Sequence, residues 1–185
     1  IIRPSDKVRC TGKIELFGEK FHCWKKKGHG IMDLRSGIKR SCDVYFYEVA
    51  RKLGVDRLSE TAKKFGLGKK VLQNFSEERS GVVPSTTWKK KYIGQNWYLG
   101  ETLHSGIGQG YFQSTPLQLC LMTAQIANGG FEIKPKIIYN ENNNNLKDYL
   151  DFKKENPNQP LTTDLLLSNF NLKPLFKNQE HINFI

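Results

Sequence analysis

The sequence predicts a mixed domain of helices and short strands, with helices in the majority, and three observations point there. Segments around 43–54, 55–66 and 116–128 place apolar residues at helical spacing between recognisable start and stop residues. Residues 8–22, "VRCTGKIELFGEKFH", alternate loosely about Gly12 and Gly18, which suggests a small hairpin or extended flap. The chain has 185 residues, 38% hydrophobic and 25% charged, enough for a core of its own. No apolar run is long enough to span a bilayer, and no signal-peptide pattern opens the chain. The opening "IIRPSDKVRC" and the ending "EHINFI" read as cuts, so the chain is expected to be an excerpt of a longer protein.

In order, the flap is followed by the loop "CWKKKGHGIMDL" with two glycines around His29, then a short helix from about Met32 to Arg40. "RSCDVYFYEVARKLG" comes next, with Val44, Tyr47, Ala50 and Leu53 on one face and Gly54 as the stop. Ser41 and Asp43 stand at its start, where short polar side chains cap free N–H groups. "VDRLSETAKKFGLG" is a further helix, faced by Leu58, Ala62 and Phe65, capped by Asp56 and ended by Gly66. Residues 68–84 lack periodicity. Ser85 caps a short helix in "PSTTWKKK", and 97–113, rich in glycine and aromatics, reads as a loop.

The clearest helix start is "TPLQLCLMTAQIANGG". Thr115 caps, Pro116 takes the first helical position, Gln118 completes a capping box, and Gly129 and Gly130 terminate. Cys120 falls inside this apolar helix and reads as a core thiol. Residues 140–160 are a polar, low-complexity insertion, expected to be a mobile loop. No internal repeat is visible.

The net charge is +11, from 29 Lys and Arg against 18 Asp and Glu. Such an excess suits a nucleic acid, an anionic cell-wall polymer or a membrane surface. The lysines come in short bursts at 25–27, 63–64, 69–70 and 89–91, with no interleaved aromatic stripe. Solvated helix and loop faces account for most of them, and no nucleic-acid partner is expected.

Four cysteines occur, at 10, 23, 42 and 120, and none forms a C-x-x-C pair. Cys10, Cys23, His29 and Cys42 are spaced C-x12-C-x5-H-x12-C, unlike common zinc fingers. Three thiols and an imidazole nevertheless make a complete tetrahedral set for a structural Zn2+. A Cys10–Cys23 disulfide and separate buried thiols beside a loop histidine are the two alternatives.

"GIGQG" at 106–110 is not a phosphate loop, because no Lys-Ser or Lys-Thr follows and no buried strand precedes it. The pair Ser41 and Asp43 taken alone is a weak signal, since caps of this type are common. Five segments read together are more specific: "WKKKGHG" at 24–30, "SCDVYFY" at 41–47, "FGLG" at 65–68, "EERSG" at 77–81 and "GIGQGYFQSTPLQ" at 106–118. In that order they resemble the penicillin-binding protein 2 family, the elongation-type class B peptidoglycan transpeptidases. The resemblance covers roughly residues 1–135 and returns at "KPLFKNQEHINFI".

The resemblance implies an α+β fold of the penicillin-binding transpeptidase and serine β-lactamase type, an antiparallel sheet with helices on both sides. Residues 1–185 would be the central part of one such domain, mostly its helical lobe, with 8–30 as flap and metal-binding segment. The family works through Ser-x-x-Lys, Ser-x-Asn or Ser-x-Asp, and Lys-Thr-Gly. Ser41-Cys42-Asp43 matches the second, and the nucleophile and the Lys-Thr-Gly strand are expected outside residues 1–185.

In this reading Ser41 relays a proton and Asp43, where many relatives carry Asn, hydrogen-bonds the catalytic lysine or the donor peptide. Stem peptides and β-lactams are the implied ligands, and elongation-complex membrane proteins the implied partners. The implied site is the periplasmic face of a bacterial inner membrane. Elongation-type members can also carry a metal near the flap, on Asp, Cys and His. Two rivals remain: a β-lactam-hydrolysing or sensing relative, and a zinc-stabilised nucleic-acid-binding module.

Overall fold

The computed structural model describes residues 3–72, 75–135, 151–152, 154–157, 173–177 and 182. The chain divides into two compact units, Ile1–Lys63 with Gly81–Ser114, and Lys64–Ser80 with Thr115–Ile185.

The first unit opens with two antiparallel ribbons. β1 (Val8–Cys10) pairs with β4 (Gly30–Met32), and β2 (Lys13–Leu16) pairs with β3 (Glu19–His22). Leu16 lies opposite Glu19, so the β2–β3 hairpin turns through two residues, Phe17 and Gly18, both at positive φ. That is the turn geometry that follows the twist of the strands. The expected flap is therefore present, and its two ends are clasped by β1 against β4. Gly28 makes this clasp possible. Its φ is +77°, and a Cβ there would stand 2.3 Å from the Cys10 carbonyl oxygen.

α1 (Leu34–Lys39) starts at a capping box in which the Asp33 carboxylate accepts from the Ser36 N–H at 2.8 Å. α2 (Asp43–Leu53) buries Val44, Tyr45, Tyr47 and Ala50 and ends at Gly54, φ +78°. After it come α3 (Val55–Lys64), α4 (Thr86–Tyr92) and α5 (Leu99–Gly106). Ser85 caps α4 as expected, accepting from the Trp88 N–H at 3.0 Å. The core of this unit is Cys10, Cys23, Met32, Cys42, Val44, Tyr45, Tyr47 and Leu103, so three of its eight members are cysteines.

The second unit is organised by α6 (Pro116–Ala127), with Thr115 and Gln118 in the expected capping box. Two buried glutamines on α6 hold loop backbone. Gln118 Nε2 donates to the Lys69 and Ser80 carbonyls at 2.8 Å each, and Gln125 Nε2 donates to the Phe65 carbonyl at 3.0 Å. The buried Glu78 carboxylate accepts the N–H groups of Val71 and Leu72 at 2.8 and 2.9 Å. Residues 173–175 return against 130–132, through Glu132 N–H to the Lys173 carbonyl and Leu175 N–H to the Gly130 carbonyl.

Several expectations are corrected. Residues 97–113 are not all loop, because α5 occupies Leu99–Gly106 and packs on α2. Cys120 is exposed on α6, not a core thiol. Asp56 lies inside the first turn of α3, and its carboxylate accepts the Thr86 N–H at 2.9 Å instead of capping its own helix. Among the described residues the strands form two-stranded ribbons only. Most of the 140–160 insertion lies outside the described residues. No described helix is long and apolar enough to cross a membrane.

Candidate metal centre and the Ser41–Asp43 element

Cys10 ends β1, Cys23 follows β3, His29 precedes β4 and Cys42 precedes α2. Pairing β1 with β4 and β2 with β3 folds these four sequence positions onto one another. All four side chains are buried, and one ligand atom from each lies within 4.8 Å of every other. His29 Nδ1 is 3.4 Å from Cys23 Sγ and 3.7 Å from Cys10 Sγ. A tetrahedral zinc with ordinary bond lengths sets S···N edges of about 3.6 Å and S···S edges of about 3.8 Å. The donor set fits such an ion in kind, number and spacing. Cys10 and Cys23 are free thiols, so the structure does not contain the alternative disulfide.

The electrostatics of the four groups differ. Burial raises the Cys10 thiol, but hydrogen bonds from the backbone of His29 and Gly12 and from the Cys42 and Cys23 thiols more than offset it, leaving it below its ordinary value. Cys42 is pushed up to about 12, first by burial and then by its neighbouring sulfurs, against one backbone bond from Tyr45. His29 is lowered by burial and by the positive Lys25 and Arg40, with Asp43 opposing. A neutral imidazole and one easily formed thiolate are what a divalent cation needs at first contact. Its charge would then draw the remaining protons from the other thiols. His29 Nε2 is buried with no hydrogen-bond partner among the described residues.

The Ser41–Asp43 element adjoins this cluster through Cys42. Neither Ser41 nor Asp43 is the expected side-chain cap. Cys42 is the N-cap residue of α2 and makes no side-chain cap bond, while Asp43 is already helical. Ser41 is exposed and carries φ +49°, one of two non-glycine residues at positive φ among those described. For a residue with a Cβ this left-handed backbone costs roughly 1–2 kcal/mol and marks a constrained position. Asp43 Oδ2 accepts the Trp24 N–H at 2.8 Å.

A Ser-x-x-Lys string occurs within the chain, at Ser36–Lys39, while the family's nucleophile is expected outside residues 1–185. It is not a nucleophile and base here. The Ser36 hydroxyl is 2.6 Å from Asp33 Oδ1 inside the α1 capping box, and Lys39 is exposed.

The comparisons with known proteins bear on the same residues. A family model described as "Penicillin binding protein transpeptidase domain" matches residues 1–165. The chain belongs to this family. Peptidoglycan D,D-transpeptidase MrdA of Escherichia coli K12 is 39% identical over 120 residues, 65% of this chain and 19% of that protein. The Haemophilus influenzae MrdA is 43% identical over 112 residues, 60% of this chain and 17% of that protein. This transpeptidase domain chain thus spans about a fifth of the length of the curated relatives it matches.

Two solved structures share its fold. Pseudomonas aeruginosa PBP2, in complex with WCK 5153, is 45% identical with a TM-score of 0.70, covering 73% of this chain and 31% of that one. Helicobacter pylori PBP2, in complex with MreC, is 31% identical with a TM-score of 0.77, covering 99% and 30%. The penicillin-binding transpeptidase fold expected from the motifs is the fold of the domain.

Neither Trp24 nor Lys89 stands out by periodicity in the sequence. Trp24 lies outside any periodic segment, and only its place within "WKKKGHG" marked it. The lysine bursts predict solvated faces, yet Lys89 is fully buried, bonded to Glu101 and flanked by the Trp97, Tyr98 and Tyr111 rings at 5.9, 4.7 and 5.8 Å. A buried ammonium needs a counter-charge, and aromatic faces add to its stabilisation. Its position four residues after the cap Ser85 was the available signal.

Proposed function

We propose that this domain is the central part of a peptidoglycan D,D-transpeptidase that cross-links cell-wall stem peptides by serine acyl transfer and is acylated by β-lactams. The observation that carries the reading is Ser41, held exposed in a left-handed turn within a chain that is, over 73% of its length, 45% identical to a penicillin-binding protein 2. In the reaction a serine hydroxyl outside residues 1–185 attacks the penultimate D-Ala carbonyl, forming an ester and expelling the last D-Ala. The Ser41 hydroxyl donates a proton to that leaving amine and accepts one in return, which a group that is donor and acceptor at once can do. Asp43 holds the element to the flap with one carboxylate oxygen. An acceptor amine of a second stem peptide then attacks the ester and regenerates the serine.

Cys10, Cys23, His29 and Cys42 would hold a structural Zn2+, which on binding would cross-link the flap to the start of α2. The placement we infer is the periplasmic side of a bacterial inner membrane, among elongation proteins. The Helicobacter pylori relative solved in complex with MreC supports that partner class.

The full-length protein should be labelled by a fluorescent penicillin and should cross-link stem peptides, whereas residues 1–185 alone should not be labelled. Ser41→Ala should cut cross-linking by roughly 10²-fold and change stability by less than about 1 kcal/mol. Elemental analysis should find about one zinc per chain, lost in His29→Ala. A Ser41→Ala protein with undiminished cross-linking sinks the relay. Hydrolysis of the penicillin without cross-linking would favour the β-lactam-hydrolysing relative.

A further inference from the structure

Trp24 is an aromatic residue left 65% exposed, so burial of its ring does not explain its place. Its polar groups do. The backbone N–H donates to Asp43 Oδ2 at 2.8 Å, and the indole Nε1–H donates to the Ser41 carbonyl at 2.8 Å and the Arg40 carbonyl at 3.2 Å. One residue thus grips the catalytic element on both sides of Cys42. Its other neighbours belong to the cluster: Cys23 precedes it in the chain, and the His29 ring meets its indole edge-on at 5.2 Å.

Ser41 needs such a grip. Its left-handed backbone is disfavoured for a side chain with a Cβ and persists only where surrounding bonds over-determine it. Two bonds come from the turn itself, Ser41 N–H to the Ile38 carbonyl at 3.1 Å and Cys42 N–H to the Gly37 carbonyl at 3.0 Å. The indole supplies the bond from outside the turn.

We infer that Trp24 is a positioning residue, which holds the Ser41–Asp43 turn in register and couples it mechanically to the Cys10, Cys23, His29 and Cys42 centre. This rests on the transpeptidase reading for its catalytic consequence, but not for its structural one. Loosening the turn misplaces the Ser41 hydroxyl, and misplacement of a catalytic group slows the chemical step.

The test is Trp24→Phe in the full-length protein, which keeps the backbone N–H and a ring beside His29 and removes only the indole N–H. Zinc content should stay at the wild-type level. Amide hydrogen exchange at residues 40–44 should accelerate at least about tenfold, and kcat should fall about tenfold or more with KM within about twofold. Adding Ser41→Gly, whose backbone accepts the left-handed turn without a Cβ, should restore most of the exchange protection though not the activity.

Wild-type exchange at 40–44 in a folded Trp24→Phe protein overturns the proposal. So does a loss of protection that Ser41→Gly leaves unchanged. A chain that binds no zinc but still loses protection at 40–44 in Trp24→Phe supports the grip and overturns the metal reading alone. A lost protection with unchanged kcat overturns the catalytic consequence.

Discussion

Cys10 and Cys42 share one buried cluster, yet their thiols are pushed in opposite directions, Cys10 below its ordinary value and Cys42 up to about 12. In the metal-free protein a folded Cys42 keeps its proton where an unfolded one has lost it, above about pH 8.5. The folded chain then binds more protons, and stability falls as pH rises. Cys10 acts in the other sense, gaining stability as pH rises through its lowered value and levelling off near about pH 8.5. His29, depressed by burial, loses stability as pH drops below about 6.5, where the unfolded imidazole takes a proton that the folded one refuses. Metal-free protein should therefore melt highest at mildly alkaline pH and lose stability progressively above about pH 8.5. With zinc bound to the thiolates that alkaline loss should vanish, and the fall should move to the acid side, where protons displace the metal. Melting curves with and without chelator across this range check it. An alkaline loss that zinc leaves unchanged removes Cys42 from the ligand set.

The helices show which part of the fold a sequence can state. α4 and α6 were legible because Ser85, Thr115 and Gln118 act within three residues of themselves, and the structure finds each bond where the spacing put it. α5 was not. Its first turn is set by Glu101, whose carboxylate accepts the Tyr98 N–H at 2.8 Å while also pairing with the buried Lys89, and that partner comes from another helix. Asp56 misled for the same reason, since the backbone it serves is thirty residues away. α5 also depends on close approach to α2. A Cβ on Gly106 would stand 2.4 Å from Ala50 Cβ and 3.1 Å from the Phe46 carbonyl oxygen. Gly106→Ala should cost about 1–3 kcal/mol in urea unfolding, as overpacking does, and Ala50→Gly should recover part of it. Equal melts for Gly106→Ala and wild type would mean that the two helices can separate without penalty.

Across the whole chain, the motifs that identified the family are also those with a definite structural task. His29 turns inward between two glycines at positive φ, Glu78 takes two backbone N–H groups, and Gln118 joins two loop carbonyls. The composition of the candidate metal set was legible because zinc chemistry limits which side chains can serve. Its assembly was not, because the ribbon pairing that brings residues 10, 23, 29 and 42 together depends on Gly28 meeting the Cys10 backbone.

The distribution of sulfur has a practical consequence. Three thiols are enclosed and the fourth, Cys120, stands in solvent on α6. The molecule therefore carries its own occupancy gauge. An aromatic disulfide reagent should titrate one sulfhydryl quickly in zinc-loaded protein. The other three should become reactive only after chelation, with Cys10 ahead of Cys42 because its thiol is lowered where that of Cys42 is raised. Released metal and newly reactive sulfhydryls should then rise together in a ratio of one to three, readable in a cuvette with a zinc dye and no substrate. Three slow sulfhydryls appearing with no metal released would mean that packing alone had sheltered them.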